Sequence, residues 1–345
     1  MIDRKHYASL DVAKFIAAIL IIVLHANPFS SYSGILAYGF RNIITVIAVP
    51  FFFATSGFLF FAKLNSLSPE DKKQYFSKYF KRLALMYLLW STVYFVFVVI
   101  DWIKNGFEAI DLLIYIRDFF FEGSYSTIWF LPALMTAVTL VYFLKKKLSY
   151  TQIFLIAIPF YLLACLGSSY YGLTQRIPLL NEFFNIYFCV FDSIKNGLLF
   201  GFVYVALGGI LSEKSIATKP WKAFLLMAIF FVLMAAETVV QYILGWSTNG
   251  VDTKIMLLPL TLMIIVFVLS LNFPQKSVFV LMRTISLLMF LSQRIFLTLF
   301  DWFLYNTVFV NNSILYFASI LLLTLLFSIV FIKLSERIKL LKSFY

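Results

Sequence analysis

Three ionisable residues share one apolar stretch near the start of the chain: Asp11, Lys14 and His25, in LDVAKFIAAILIIVLH (10–25). Ionisable groups inside an apolar span are rare, face the interior of a helix bundle, and are functional hypotheses by default. An α-helix turns about 100° per residue, so the eleven steps from Lys14 to His25 return to within about 20° of one face. Asp11, three residues before Lys14, lies near that face as well. The result is one polar stripe with a Lys14-to-His25 rise of about 16 Å. A neutral imidazole accepts a hydroxyl proton near neutral pH, which makes His25 the general-base candidate. The only other histidine, His6, sits in the basic N-terminal tail. A structural account stands beside this one: Lys14 snorkels to the membrane interface paired with Asp11, and His25 is hydrogen-bonded in the opposite interfacial layer.

Further charges fall in apolar runs. Glu237 lies in FFVLMAAETVVQYIL, Arg294 in SLLMFLSQRIFL, and Asp301 two turns beyond it at the interface, where a structural role is expected. A charge at the bilayer centre costs roughly 2.5–3.5 kcal/mol, so each needs a partner. Glu237 and Arg294 either pair with one another or line a polar cavity that holds a substrate headgroup. Arg294 could also stabilise an oxyanion. Lys81 and Arg82 suit a cofactor phosphate or an ordinary basic membrane flank. Trp129 and Pro132 fix a helix end and an interfacial anchor, and Trp129 is counted among the substrate-facing groups. Ser56 and Gly57 suit close helix packing, and Asn196 suits a helix cap. Cys165 and Cys189 form no CxxC and have no histidine nearby, so no metal site is expected and both are read as unpaired thiols.

The elements that must position these groups follow from composition. Of 345 residues, 62% are hydrophobic and 13% charged, with a mean hydropathy of +0.94. A soluble domain is nearer 45–50% apolar and 25% charged, so the chain is read as an all-α, polytopic membrane bundle. A span needs roughly 17–25 mostly apolar residues. Ten are read, at about 8–28, 42–62, 83–103, 127–144, 149–167, 197–212, 223–244, 255–271, 284–304 and 313–333. The first reads as a span rather than a removable signal peptide. The net charge of +12 comes from basic residues that punctuate the spans, with no arginine-rich groove segment, so nucleic-acid binding is excluded. With the N-terminus inside, 20 of the 28 Lys and Arg are cytoplasmic and six are external. That asymmetry places both termini in the cytoplasm. Two outer segments are long enough to build something, 104–126 and 168–196. The first, FEAIDLLIYIRDFFF, has helical apolar spacing and is expected to lie on the membrane surface. The second mixes Gly, Ser, Tyr, Asn and charges and could line a mouth. The segment 63–82 is read as a basic cytoplasmic loop facing anionic lipid.

Against this background the first stretch resembles the signature of the acyltransferase family 3 integral membrane proteins: Leu-Asp, a basic residue, ten residues, then histidine. VPFFFATSGFLFF (49–61) is similar to the family's second helix, KRLALMYLLW (81–90) to the start of its third, and TIWFLPALM (127–135) to its Trp-Phe-Leu-Pro-Ala-Leu block. NGLLFGFVYVALGGIL (196–211) and SLLMFLSQRIFL (286–297) fall where later blocks are expected. The resemblance covers essentially the whole chain as one transmembrane domain, 1–345. It departs from the family at Lys14, where arginine is usual, at Thr127, where a histidine often stands, and at Gln293–Arg294, where a histidine often closes the block. Lysine keeps the charge but loses the planar fork.

The resemblance implies an O-acyltransferase of the cell membrane that moves an acetyl or other acyl group from cytoplasmic acyl-CoA to a hydroxyl of an exported glycan or other cell-envelope acceptor. Acetyl-CoA is then the co-substrate, held by Lys14, Lys81 and Arg82, with His25 as base. The chain also resembles the membrane module of vancomycin-resistance serine racemases, without their soluble half. A rival of another class follows, a carrier or binding module for a small polar molecule such as serine, with Asp11, Lys14, Glu237 and Arg294 as a zwitterion site. A scaffold for envelope enzymes is a third. Membrane lipids are partners in every case. The acceptor, the acyl group and the oligomeric state, a homodimer included, stay open at this point, as does whether the residues form a whole gene product or a module.

Overall fold

The computed structural model describes residues 7–214, 218–250, 252–304 and 312–345; His6 lies outside them. Every regular element among the described residues is helical. Helix α1 runs Ala8–Ala26 and stops where Asn27 adopts a left-handed conformation (φ 45°) and returns its N–H to the Val23 carbonyl. Asparagine tolerates that conformation well, and the stop leaves His25 in the last turn. A short α2 (Gly34–Gly39) leads through a π turn (Phe40–Ile44) and a 3₁₀ turn (Thr45–Ile47) into α3 (Ala48–Asn65). Pro50 near the start of α3 has no N–H to give the carbonyl four residues back, which suits this irregular entry.

The expected basic loop 63–82 is a helix for most of its length. Helix α4 spans Pro69–Asn105, about 55 Å of rise against a hydrocarbon core about 30 Å thick. Its start is set locally: Ser68 Oγ accepts from the Asp71 N–H, Pro69 occupies the first turn, and Glu70 and Asp71 face the positive end of the helix dipole. The segment 104–126 contains a helix, α5 (Ala109–Phe121), where the Glu108 N–H donates to Asp111 Oδ2 at 2.9 Å. No residue of α5 is buried.

The chain continues through α6 (Phe130–Leu144), α7 (Tyr150–Leu166), α8 (Tyr171–Thr174), α9 (Pro178–Val190), a second π turn (Gly197–Gly201), α10 (Phe202–Glu213), α11 (Pro220–Ile243), α12 (Leu257–Ser270), α13 (Ser277–Phe303) and α14 (Ser313–Arg337), ending in a 3₁₀ segment (Lys339–Phe344). Each of the ten expected spans coincides with one of these helices. Six, α1, the α2–α3 unit, α4, α11, α13 and α14, are long and apolar enough to cross a membrane; α6, α7, α10 and α12 are shorter apolar helices. The protein is a multi-pass membrane protein.

Helix α1 is central, packed against α3, α12, α13 and α14. Helices α3 and α10 come together most closely. A Cβ on Gly57 would sit 2.6 Å from the Val205 carbonyl oxygen, and one on Gly208 would strike the Ala54 carbonyl and the Phe58 N–H. The Ser56–Gly57 step is thus a packing step, as its composition suggests. Cys165 is buried, Cys189 is exposed, and both are free thiols.

Candidate functional site

Where α1 ends, the chain ends of several helices enclose a cavity of about 520 Å³. His25 stands in its wall with Trp102 of α4, Asp111, Tyr115 and Asp118 of α5, Glu122, Tyr125 and Trp129 before α6, and Ser193 and Lys195 before the second π turn. Neither imidazole nitrogen of His25 hydrogen-bonds to another described residue. A second, smaller cavity of about 70 Å³ shares His25, Trp129 and Lys195 with the first and continues inward past Thr127 and Asp252.

Trp129 is held from behind. Gly123 has φ +94°, ends α5 with its N–H on the Asp118 carbonyl, and approaches Trp129 so closely that a Cβ would lie 2.6 Å from the Trp129 nitrogen. Only glycine satisfies both conditions. Lys195 Nζ and Asp252 carboxylate meet at 2.5 Å, joining the segment before α10 to the segment before α12. Burial pushes the Asp252 carboxyl up, but the Lys195 ammonium, with Lys254 and Arg41, more than reverses this and holds it below its ordinary value. The charged groups that act on His25 are Arg294, Lys195, Asp252 and Arg41. Asn196, as its type suggests, caps the π turn: its Oδ1 accepts from the Leu198 and Leu199 N–H groups at 3.0 and 2.9 Å.

Beside Asp118 of the cavity wall, Arg117 bridges Asp118 (2.6 Å) and Asp192 (2.7 Å), tying α5 to the segment 191–196. Glu122 beside them has no ion pair among the described residues; it accepts from the Ser193 N–H at 3.5 Å. Burial, with Asp192 and Asp118 nearby, pushes its carboxyl up to about 7.

The structure gathers some of the sequence candidates and disperses others. His25 and Trp129 share both cavities, and Arg294 on α13 is near enough for its charge to act on His25. Arg294 Nε is buried without a hydrogen-bond partner among the described residues. Asp11 is buried, and the charged groups acting on Lys14 are Asp11 and Arg283. Neither cavity at His25 reaches that inner end of the stripe. Lys81 and Arg82 are exposed on α4.

The expected Glu237–Arg294 pair does not form. Glu237 Oε1 accepts from Tyr170 Oη (2.7 Å), the Ile255 N–H (2.7 Å) and Gln241 Nε2 (3.3 Å), and Oε2 accepts from the Met256 N–H (2.8 Å). Its carboxylate satisfies backbone donors at the start of α12, the end of a helix that attracts negative charge. It lines neither cavity at His25. Asp301 accepts from Tyr316 Oη at 3.0 Å, a structural contact as expected. Sequence reasoning missed Lys195, Asp252 and Glu122, which fall in the segments between the apolar helices, and Thr127, marked only as a departure from the family pattern.

A family model described as "Acyltransferase domain" matches residues 7–333. The chain belongs to this acyltransferase family. Among curated proteins it is 30% identical over 240 residues to an amino-acid racemase of Enterococcus faecalis, covering 69% of this chain and 32% of the relative. A second amino-acid racemase of Enterococcus faecalis is 27% identical over 278 residues, covering 79% and 38%. A serine/alanine racemase of Enterococcus gallinarum is 27% identical over 256 residues, covering 73% and 36%. The chain thus spans about a third of the length of the curated relatives it matches. No solved structure matches.

Proposed function

We propose that this chain is a cell-membrane O-acyltransferase that moves an acyl group from cytoplasmic acyl-CoA to a hydroxyl of an acceptor arriving from the outside, with ten spans, one transmembrane domain and both termini in the cytoplasm. The observation that carries the reading is His25, with no hydrogen bond to another described residue, in the wall of the larger cavity. The acceptor hydroxyl attacks the thioester carbonyl, the carbon–sulfur bond breaks, and the proton passes through His25 to the departing thiolate. The cation Arg294 near His25 suits the negative charge that develops on the carbonyl oxygen. Lys14, with Lys81 and Arg82, faces the donor's phosphates on the cytoplasmic side. Trp102, Tyr115 and Trp129 offer flat apolar faces and Asp111, Asp118 and Glu122 offer acceptors, a lining that suits an exported glycan.

A second reading rests on the racemase relatives and on the adjacent opposite charges of Lys195 and Asp252. In it the cavity binds a small zwitterion such as serine and no bond is made. The deciding measurement is acyl-CoA binding and thioester hydrolysis by the purified protein in detergent, beside His25→Ala and Lys14→Ala. Acyl transfer requires wild-type turnover, weaker donor binding in Lys14→Ala, and retained binding without turnover in His25→Ala. Binding of labelled serine with no binding of acetyl-CoA would replace this reading with the carrier.

A further inference from the structure

Helix α5 has its polarity the wrong way round for a helix in water. Asp111, Tyr115 and Asp118, at helical spacing, line the larger cavity. The opposite face carries Leu113, Ile116 and Phe120, exposed at 62%, 45% and 68%. A helix of that pattern is at home where its outer face meets lipid and its inner face meets water or a polar ligand. The helix also returns beside α4. Phe107 and Tyr115 pack on Trp102, Tyr115 packs on Phe95, and the Phe119 carbonyl accepts from Tyr87 Oη at 2.5 Å. Tyr87 stands 18 residues before Asn105, the last residue of α4, or about 27 Å of helical rise. The two edges of α5 differ in kind. On one side Arg117 is ion-paired with Asp192 of the segment 191–196. On the other, between α4 and the first turns of α5, the four rings of Phe95, Trp102, Phe107 and Tyr115 meet with centroids 5.2–6.0 Å apart. No hydrogen bond or ion pair among the described residues crosses that seam. Trp102 and Tyr115 line the cavity, while Phe95 and Phe107 are 39% and 56% exposed, so the rings run from the cavity wall to the outer surface.

We infer that the acceptor is an amphiphile: its hydroxyl-bearing headgroup occupies the larger cavity beside His25, and its apolar tail leaves for the lipid through the ring seam between α4 and α5. The inference rests on the acyl-transfer reading and adds to it the class of acceptor. A ring seam parts without stranding a polar group, whereas opening the Arg117–Asp192 edge would unpair two charges, so the tail leaves on the α4 side. A tail that slides from lipid onto Phe95 and Phe107 stays in apolar surroundings throughout. Its headgroup meanwhile meets Asp111, Asp118 and Ser193 on the inner wall. The headgroup hydroxyl oxygen forms the ester bond as the thioester carbon–sulfur bond breaks, and the hydroxyl proton passes through His25 to the thiolate.

The test follows the label from acetyl-CoA, and separately butyryl-CoA, carrying carbon-14 in the acyl group, in membranes of cells that make the protein and of cells that lack it. The protein-dependent label should extract into chloroform–methanol and be released as the free acid by mild alkali, as an ester on a lipid-anchored acceptor requires. The ratio of that ester to free acid formed by thioester hydrolysis, taken within one preparation, does not depend on how much of the protein is folded. Phe107→Glu, which puts a charge in the path of the tail, should lower the ratio by about 10-fold or more, and Phe95→Gln should lower it in the same direction. Ile243→Glu, at an equally open apolar position (73% exposed) that ends α11 and lines neither cavity, should leave it unchanged. Protein-dependent label found only in water-soluble or solvent-insoluble material, or only as free acid, overturns the amphiphile while acyl-CoA chemistry stands. A ratio unmoved by both seam substitutions, or lowered equally by Ile243→Glu, overturns the exit between α4 and α5. Absence of any protein-dependent use of either acyl-CoA overturns the inference together with the reading on which it rests.

Discussion

Loss of the Lys195–Asp252 pair should be felt as stability and as a pH signature, both of which follow from its setting. The side chains are 36% and 27% exposed, so the pair is neither a surface bridge nor a fully buried one. Exposed pairs contribute about 0–1 kcal/mol, and removing one partner of a buried pair costs about 3–5 kcal/mol. Lys195→Met, which keeps the apolar stem and removes the charge, is therefore expected to cost about 1–3 kcal/mol. Asp252→Asn should cost more, because Lys254 and Arg41 as well as Lys195 act on that carboxylate. The double variant should cost less than the sum of the two, since the partners are in contact. The folded Asp252 carboxyl lies below its ordinary value, so its stabilisation is complete above the unfolded pKa of about 3.9 and is lost as pH falls through the folded value. The gap between wild type and Lys195→Met should thus be constant from about pH 5 to 7 and shrink below about pH 4. Unfolding by SDS in mixed micelles, followed by tryptophan fluorescence, measures the gap. A Lys195→Met variant within about 0.3 kcal/mol of wild type, or strictly additive costs in the double variant, would refute the reasoning.

Glu122 should behave in the opposite sense. Its carboxyl is pushed up to about 7 by burial, so its protonated form suits the fold, and stability present below its unfolded pKa is lost as pH rises through about 7. Glu122→Gln should flatten the decline in melting temperature between about pH 5 and 8; an unchanged slope assigns the dependence elsewhere. Gly57→Ala places a Cβ 2.6 Å from the Val205 oxygen and 3.0 Å from its Cα. Helices α3 and α10 must part, at an expected cost of about 1–3 kcal/mol, read from the same SDS titration. Glu237→Ala removes two hydrogen bonds from the start of α12 and those from Tyr170 and Gln241, should cost about 2 kcal/mol or more, and should leave donor binding at the wild-type level.

Helix positions were legible because apolar length is a strong signal, and all ten stretches read from the sequence are helical. The exception within a helix is instructive. Residues 69–82 carry enough charge to look like a loop, yet Ser68, Pro69, Glu70 and Asp71 form a helix start whose local capping prevails over hydropathy. His25 and Trp129 were legible because each sits at a fixed phase on or beside an apolar helix. Lys195 and Asp252 lie in segments without periodicity, where nothing in the sequence says that residues 57 positions apart will meet at 2.5 Å. The Glu237 reading failed for a different reason. A buried carboxylate requires donors, and side-chain charges are the donors visible in a sequence, but here the backbone N–H groups of Ile255 and Met256 supply them. Any helix start can do so, and composition does not reveal which.

The two π turns give this bundle a stepwise degree of freedom. A π turn closes its hydrogen bonds one residue later than an α turn, so each holds one residue in surplus. Deleting one residue from Phe40–Ile44 would let the backbone revert to plain α-helix and turn the short α2 segment and the residues just before the deletion by roughly 100° about the α3 axis, while α1 is held by its own packing against α3, α12, α13 and α14. The α3–α10 contact at Gly57 would keep its register. Asn42, whose carbonyl accepts from Lys254 Nζ at 2.9 Å, would leave that partner, and Arg41 would leave the neighbourhood of His25. A point substitution changes what a side chain is, whereas a single-residue deletion here changes where a whole wall faces. Length variation at Phe40–Ile44 or Gly197–Gly201 would therefore re-aim the segments joined there in discrete steps of about one residue's turn, a change of wall orientation that no replacement of a single side chain produces.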